Sequence, residues 1–438
     1  MAPTDPVLDA LRRGALAGAR TLRLSGGLRE VPREIFGLAD TLEILDLSGN
    51  ALEALPEDFG RLTRLRVLFC SNNRFNRLPP VLGDCAALSQ VGFRNAGLCE
   101  VPAEALPPRL RWLTLTDNRL QHLPDALGRC PALQKLMLSG NRLRALPDGL
   151  ADAPALELLR LSANRFEALP SWLGALPRLA WLAWAGNPLD REHPLSGPVV
   201  VDWSRLTPGA LLGEGASGRV HRALWQQRDG AAPLPVALKL FKGTMTSDGL
   251  PEHEMAACLT AGDHPHLVGA LGQLAGHPQG VQGLVMPLLP EGWRPLAGPP
   301  SLVTCSRDVY DPLWRVDPLV ALRIARGAAA AAAHLHERGL LHGDLYAHNI
   351  LWDGVRGEIR LSDFGAASFL PNGNRDPLRA VDVLAWGVLL GELLERCDPV
   401  PELAALRRTQ QACIQPDARS RPSMREAMQA LGTESRPG

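Results

Sequence analysis

Between His342 and Asn349 the chain reads His-Gly-Asp-Leu-Tyr-Ala-His-Asn, which sets Asp344 and Asn349 five positions apart. Asp363-Phe364-Gly365 follows, its carboxylate fourteen residues beyond Asn349. These are the groups that phosphoryl transfer asks of a protein: a carboxylate beside the attacking hydroxyl, and oxygen ligands for metal ions that neutralise a triphosphate. Asp and Asn are also ordinary turn formers, so the stretch has to be weighed with its surroundings.

Those surroundings are regular. A long apolar helix-like run, Leu319 to Leu341, leads into the loop, and a strand-like Ile350-Leu351-Trp352 leaves it. The run carries Arg323 and Arg326, which marks a buried helix and not a membrane span. Its six consecutive alanines, 328 to 333, suit close helix packing. Upstream, strand-like residues Leu206 to Leu212 end in Gly213-Glu214-Gly215-Ala216-Ser217-Gly218-Arg-Val220. A lone G-x-G-x-x-G is shared with dinucleotide folds, but there it opens a helix and an acid follows about twenty residues on. Here Val220 to Trp225 reads as a strand, and the next feature is Val236-Ala237-Leu238-Lys239. Only three lysines occur in the chain, Lys135, Lys239 and Lys242. A retained ammonium at Lys239 suits a point-charge site that a guanidinium fork would not serve.

Together these motifs, over about residues 205 to 432, resemble the protein kinase family. The resemblance implies that Asp344 is the catalytic carboxylate and that Asn349 and Asp363 hold Mg²⁺. It implies that Gly213, Glu214, Gly215, Ala216, Ser217 and Gly218 cover the ATP phosphates and that Val220 and Ala237 also bind the nucleotide. Lys239 would hold phosphate oxygens, partnered by Glu254, chosen over Glu252 by its spacing to His264-Pro265-His266. Met286 would be the gatekeeper, with Pro287 and Leu289 offering backbone to adenine. Val381-Asp382 through Gly387 resembles the kinase F-helix, and Arg419-Ser-Arg421-Pro422 its C-terminal signature. Three departures stand out. Gly343 replaces the usual Arg, Tyr346 replaces the usual Lys, and the segment from Gly365 to Asp382 is short, with no Ala-Pro-Glu to partner Arg421. Activity is therefore expected not to depend on activation-segment phosphorylation, since Ser368 is the one hydroxyl residue in that segment. His-Gly-Asp-Leu is also typical of small-molecule phosphotransferases of the aminoglycoside and choline kinase type, and a pseudokinase scaffold is a third reading.

The first half of the chain has a different pattern. The frame L-x-x-L-x-L-x-x-N begins at Leu42, Leu65, Leu88, Leu110, Leu133, Leu156 and Leu179, at intervals of 22 or 23. Asn fills its last position everywhere except Ala96, and Leu-Pro or Val-Pro steps follow from Pro56 to Pro170. This array resembles leucine-rich repeats of the Leu-Pro type. Each repeat supplies a short strand with its leucines inward, and neighbours must stack into a solenoid. A local irregularity is expected at Ala96. Outward positions, including Asp46, Phe69, Arg94, Thr116, Met137, Ser139, Arg160 and Ser162 with Trp112 and Trp181 beside them, would line a concave face that binds a protein partner.

The expected architecture is thus an α/β leucine-rich repeat solenoid followed by an α+β bilobal protein-kinase-like domain. The repeats take residues 1–198 and the second domain 199–438, with a small lobe of about 199–289 and a large lobe of about 290–432. Residues 290 to 317 read as a long connection. The whole resembles the bacterial fusion of repeats with a eukaryotic-like kinase, implying ATP and Mg²⁺ as cofactors and a Ser/Thr hydroxyl on a protein substrate. Lys plus Arg and Asp plus Glu both number 46, so no electrostatic footprint for nucleic acid is expected. Eight scattered cysteines without a Cys-x-x-Cys pair, and no signal-peptide core before Arg20, point to the cytoplasm.

Overall fold

The computed structural model describes residues 6–190, 199–215, 217–243, 245–246, 248–371, 377–400 and 403–432. They gather into two compact units, Met1–Arg178 and Leu179–Gly438.

In the first unit a short helix, α1 (Pro6–Arg12), precedes β1 (Thr21–Arg23), β2 (Ile44–Asp46), β3 (Val67–Phe69), β4 (Gln90–Gly92), β5 (Trp112–Thr114), β6 (Lys135–Met137) and β7 (Leu158–Arg160). Each strand runs parallel to the next with one residue in register against one. The central residue of every strand, from Leu22 to Leu159, is buried, which is the alternation the repeat frame requires. The prolines set the other side of each coil. Pro79, Pro102, Pro124 and Pro147 hold φ between −61° and −75° in extended backbone, and each is followed directly by a 3₁₀ turn.

The repeat asparagines tie successive coils together. Asn141 donates through Nδ2 to the carbonyls of Leu115 and Leu138, both at 2.9 Å, while its Oδ1 accepts from Leu120 N at 3.1 Å. Buried main-chain groups are thereby satisfied where no ladder reaches them. The irregularity expected at Ala96 does not reach the strands, since β3, β4 and β5 pair without a shift. Asn118 of the next repeat covers the gap, its Oδ1 accepting from both Ala96 N at 3.1 Å and Leu98 N at 2.9 Å.

The expected concave face is not uniform. Asp46, Ser48, Phe69 and Ser71 are half-buried and Arg94 is exposed, but Thr116, Met137, Ser139, Arg160 and Ser162 are buried. Trp112 is half-buried beneath the Lys135 ammonium, 4.1 Å from its ring.

The second unit begins with the strand of the last repeat frame, β8 (Trp181–Ala183). The divide therefore falls before the joint at 188–198, most of which, 191–198, lies outside the described residues. A six-stranded sheet follows, built from β9 (Val200–Asp202), β10 (Leu206–Glu214), β11 (Gly218–Trp225), β12 (Leu234–Phe241), β13 (Gly272–Ala275) and β14 (Gly283–Pro287), in the order β10-β11-β12-β14-β13-β9. Helix α2 (Pro251–Ala261) comes between β12 and β13. One face of the sheet buries Val236, Leu238, Ala223 and Val285 with Val201, Leu206 and Leu274.

Residues 290 to 317 are not the bare connection expected. They contain β15 (Arg294–Pro295) and a bridge from Gly298 to Val309, and they bury Asp308 and Tyr310. Helix α3 (Pro318–Glu337) starts on Asp317, whose carboxylate accepts from Leu319 N at 2.8 Å. Its alanine run is buried apart from Ala330, as close packing predicts. Next come β16 (Leu340–Leu341), β17 (Ile350–Trp352), β18 (Ile359–Leu361) and β19 (Ser368–Phe369), then α4 (Arg379–Leu394), α5 (Leu403–Cys413) and α6 (Met424–Ala430). Helices α4 and α6 pack on α3. Strand β17 pairs with β15 and β18, and β16 pairs with β19, so the 342–349 loop is anchored at both ends. No helix among the described residues is long and apolar enough to cross a membrane.

Candidate active site

Strand register brings the small-lobe residues to one face. Val220 stands opposite Lys239, Lys239 opposite Leu284, and Ala237 opposite Met286. Residues directly across a ladder share a face, as do residues two apart, so Val220, Ala237, Lys239 and Met286 face together, away from the apolar cluster. Pro287 is exposed and Leu289 half-buried just beyond β14. Gly213 and Gly215 have open space where a Cβ would stand, whereas a Cβ on Gly218 would lie 2.5 Å from Leu240 O. Only the last glycine is thus demanded by packing. Glu214 pairs with Arg219 at 3.2 Å and with Lys242, whose main-chain N donates to Ser217 O at 2.9 Å. Ala216 lies outside the described residues.

Glu254 occupies the first turn of α2, its side chain buried and paired with the Lys239 ammonium, while Glu252 is exposed. Burial lifts the Glu254 carboxyl to about 7 against the opposing pull of Lys239. Burial works against the Lys239 charge too, but Glu254 and Asp363 outweigh it and hold the ammonium above its ordinary value. The Asp363 carboxyl is pushed up by burial, yet Lys239, the Gly365 amide, His342 and His348 prevail and keep it below the usual carboxylate range. Asp363 also adopts φ of +60°, a left-handed backbone that is uncommon outside glycine and recurs at functional sites.

The catalytic-type loop is held from four sides. Asn349 donates through Nδ2 to Asp344 Oδ2 at 2.8 Å and to Asp344 O at 2.9 Å. Ser362 donates to Asn349 O through both its amide and its hydroxyl, each at 2.8 Å, which ties the loop to the residue before Asp363. Beneath it, fully buried Asp382 on α4 accepts from His342 N at 2.9 Å and Gly343 N at 3.0 Å, and bonds His336 Nε2 at 3.0 Å. Burial would raise this carboxyl, but those partners hold it below its ordinary value. His348 bonds Asp308 through both N and Nδ1, at 3.1 and 2.6 Å. Asp308 carried no signal in the sequence, because it lies in a connection without periodicity or motif.

The fourth support was also not foreseen. Trp181 is 1% exposed and stacks on Tyr346, ring centroids 4.1 Å apart and planes 6° from parallel. It is therefore not part of an exposed aromatic patch, and Trp184 is fully buried as well. Gly343 has φ of +70°, and a Cβ there would lie 2.2 Å from Leu182 O and 3.0 Å from Ala366 O. An Arg at this position is excluded by backbone atoms. Ser368 is fully buried, accepting from Trp184 N at 3.0 Å and donating to Ala366 O at 3.2 Å. Arg421 donates instead to main-chain carbonyls, among them Gln415 O at 2.7 Å and Ala380 O at 3.1 Å, and burial pushes its pKa down to about 10.

The oxygens suit a hard divalent ion that keeps substrate phosphates and water as its other ligands. The Asp363 carboxyl is held below its ordinary value, and the Asn349 amide, with Nδ2 donating to Asp344, has Oδ1 as its remaining side-chain oxygen. No cluster of three or more His, Cys, Asp or Glu among the described residues would bind a metal unaided.

Residues 206–380 match the family described as protein tyrosine and serine/threonine kinase. Residues 41–62, 108–166 and 131–189 match leucine-rich repeats. The chain is 34% identical over 170 residues to non-receptor tyrosine-protein kinase TNK1 of Homo sapiens, covering 36% of this chain and 22% of that protein. It is 34% identical over 178 residues to the DNA damage-responsive serine/threonine-protein kinase RqkA of Deinococcus radiodurans, covering 36% and 23%. Against serine/threonine-protein kinase PBL36 of Arabidopsis thaliana the identity is 32% over 206 residues, covering 44% and 40%. The chain thus spans less than half the length of these curated relatives.

Proposed function

We propose, for a chain that carries leucine-rich repeats ahead of a protein kinase domain, that it transfers the γ-phosphoryl group of ATP to a hydroxyl of a protein substrate. The observation that carries this reading is the buried Lys239–Glu254 pair formed beside an ionised Asp363, with Asp344 bonded to Asn349.

In this reading Asp344 orients the acceptor hydroxyl and takes up its proton as the new bond to phosphorus forms and the bond from the γ-phosphorus to the bridging oxygen breaks, releasing ADP. Lys239, fixed by Glu254, holds the phosphates, and the Gly213–Gly218 strand turn covers them. Asn349 and Asp363 hold Mg²⁺, which when bound neutralises charge on the triphosphate. Val220, Ala237, Met286 and Leu289 enclose the base. Residues of the repeat face that stay accessible, from Asp46 to Arg94, serve a protein partner. Eight free cysteines fit a cytoplasmic location.

Serine or threonine is the preferred acceptor, supported by the name of the bacterial relative, although tyrosine kinases match equally well. The test is incubation of the purified chain with γ-labelled ATP, Mg²⁺ and a mixed protein substrate, followed by phosphoamino acid analysis. Label on serine and threonine supports the reading. Label on tyrosine moves the specificity, label only on small molecules favours the phosphotransferase reading, and nucleotide binding without transfer favours a scaffold.

A further inference from the structure

Asp344 sits between two carbonyls that are both occupied by one distant strand. Leu182 N donates to Gly343 O at 3.1 Å, and the Trp181 indole N–H donates to Leu345 O at 3.3 Å. The same strand reaches the segment after Asp363-Phe364-Gly365, where Trp184 N donates to Ser368 Oγ at 3.0 Å. Trp181 is clamped between the Tyr346 ring on one side and the Arg307 guanidinium, 5.0 Å from its ring. Gly343 is the only residue type that lets the strand approach this closely, since any Cβ would collide with Leu182 O.

We propose that Trp181 is a positioning residue for phosphoryl transfer, acting through Gly343, Leu345 and Tyr346 to fix the Asp344 carboxylate and through the Trp184–Ser368 bond to fix the segment behind Asp363. The inference rests on the transfer reading above. It also accounts for two departures at once. Gly343 gives up the side chain that could grip a phosphate because its space is filled by the strand. Tyr346 is turned into the stack, 5% exposed, and not toward an acceptor. Ser368, the sole hydroxyl residue between Gly365 and Asp382, is spent as a hydrogen-bond acceptor inside the protein. The active arrangement is then set by buried contacts and not by a modification.

The experiment compares the full chain with Trp181→Ala and Trp181→Phe by amide hydrogen exchange and by steady-state transfer from ATP. In Trp181→Ala, exchange is expected to rise about tenfold or more in peptides spanning 340–349 and 366–370 and to stay unchanged over 206–289, where no contact is lost. Turnover at saturation is expected to fall about tenfold or more while KM for ATP stays within about twofold, the mark of a mispositioned group and not of lost binding. Trp181→Phe keeps a ring for the stack and should recover to within about threefold of wild type. If Trp181→Ala does not fold, the same two readings on Trp181→Phe decide, with a smaller rise confined to the loop expected. Unchanged exchange at 340–349 overturns the proposal whatever the kinetics, as does an equal rise over 206–289 or faster turnover. If wild type transfers no label, the transfer reading falls, and exchange alone decides whether Trp181 holds the loop.

Discussion

Lys239 and Glu254 show how charge and burial divide the work at one pair. Burial already brings Glu254 to about 7, so removing the ammonium lets the carboxyl take a proton instead of remaining as an unpaired buried charge. Lys239→Met should therefore stay folded, with a melting temperature near that of wild type, while kcat/KM for transfer falls about a hundredfold or more. A calorimetric scan and a labelled-ATP assay on the same preparation check both halves. At this scale the sequence was informative where a motif fixes spacing. Asp344, Asn349, Asp363, Lys239 and Glu254 were all read from it, and the structure brings them into one unit. Asp308 and Trp181 were not, because their partners lie 40 and more than 160 residues away, with no periodicity linking them.

Among the elements, α4 is the one on which the loop rests. Asp382 offers two oxygens to three donors, and an Asn there has a single acceptor oxygen and turns an N–H₂ toward buried N–H groups. Asp382→Asn should cost about 1–3 kcal/mol for each donor left unsatisfied, read as a lower urea midpoint at constant slope. The same helix carries Glu392, which accepts from Tyr310 OH at 3.0 Å and is raised by burial and by Asp308 from 4.5 to about 7, against Arg307 and Arg396. A carboxyl raised on folding contributes stability below its unfolded value and loses it as pH climbs through its folded value. The melting temperature should thus decline between about pH 5 and about pH 8, and Glu392→Gln should flatten that decline; an unaltered slope would refute it. The repeat strands were legible, one to each frame, because apolar positions recur at a fixed interval. The folded part of 290–317 was not, since its order comes from Asp308 and Tyr310 reaching α4 and the loop and not from a local pattern.

For the whole molecule, the sequence reads two architectures because two periodicities meet in it, and the structure returns two compact units. The second unit begins at Leu179. Leu179 continues the repeat frame by spacing, and the strand it leads into, β8, also bonds the loop around Asp344. The proposed transfer turns on Asp344 as the group that orients the acceptor. Its most direct test is the rate of label transfer from γ-labelled ATP to protein by wild type and by Asp344→Asn, with nucleotide affinity measured alongside. Transfer by wild type is expected, with a loss of about a hundredfold or more in Asp344→Asn and nucleotide affinity within about threefold, since in this mechanism the carboxylate acts on the acceptor and not on ATP. Transfer by Asp344→Asn at the wild-type rate would contradict it.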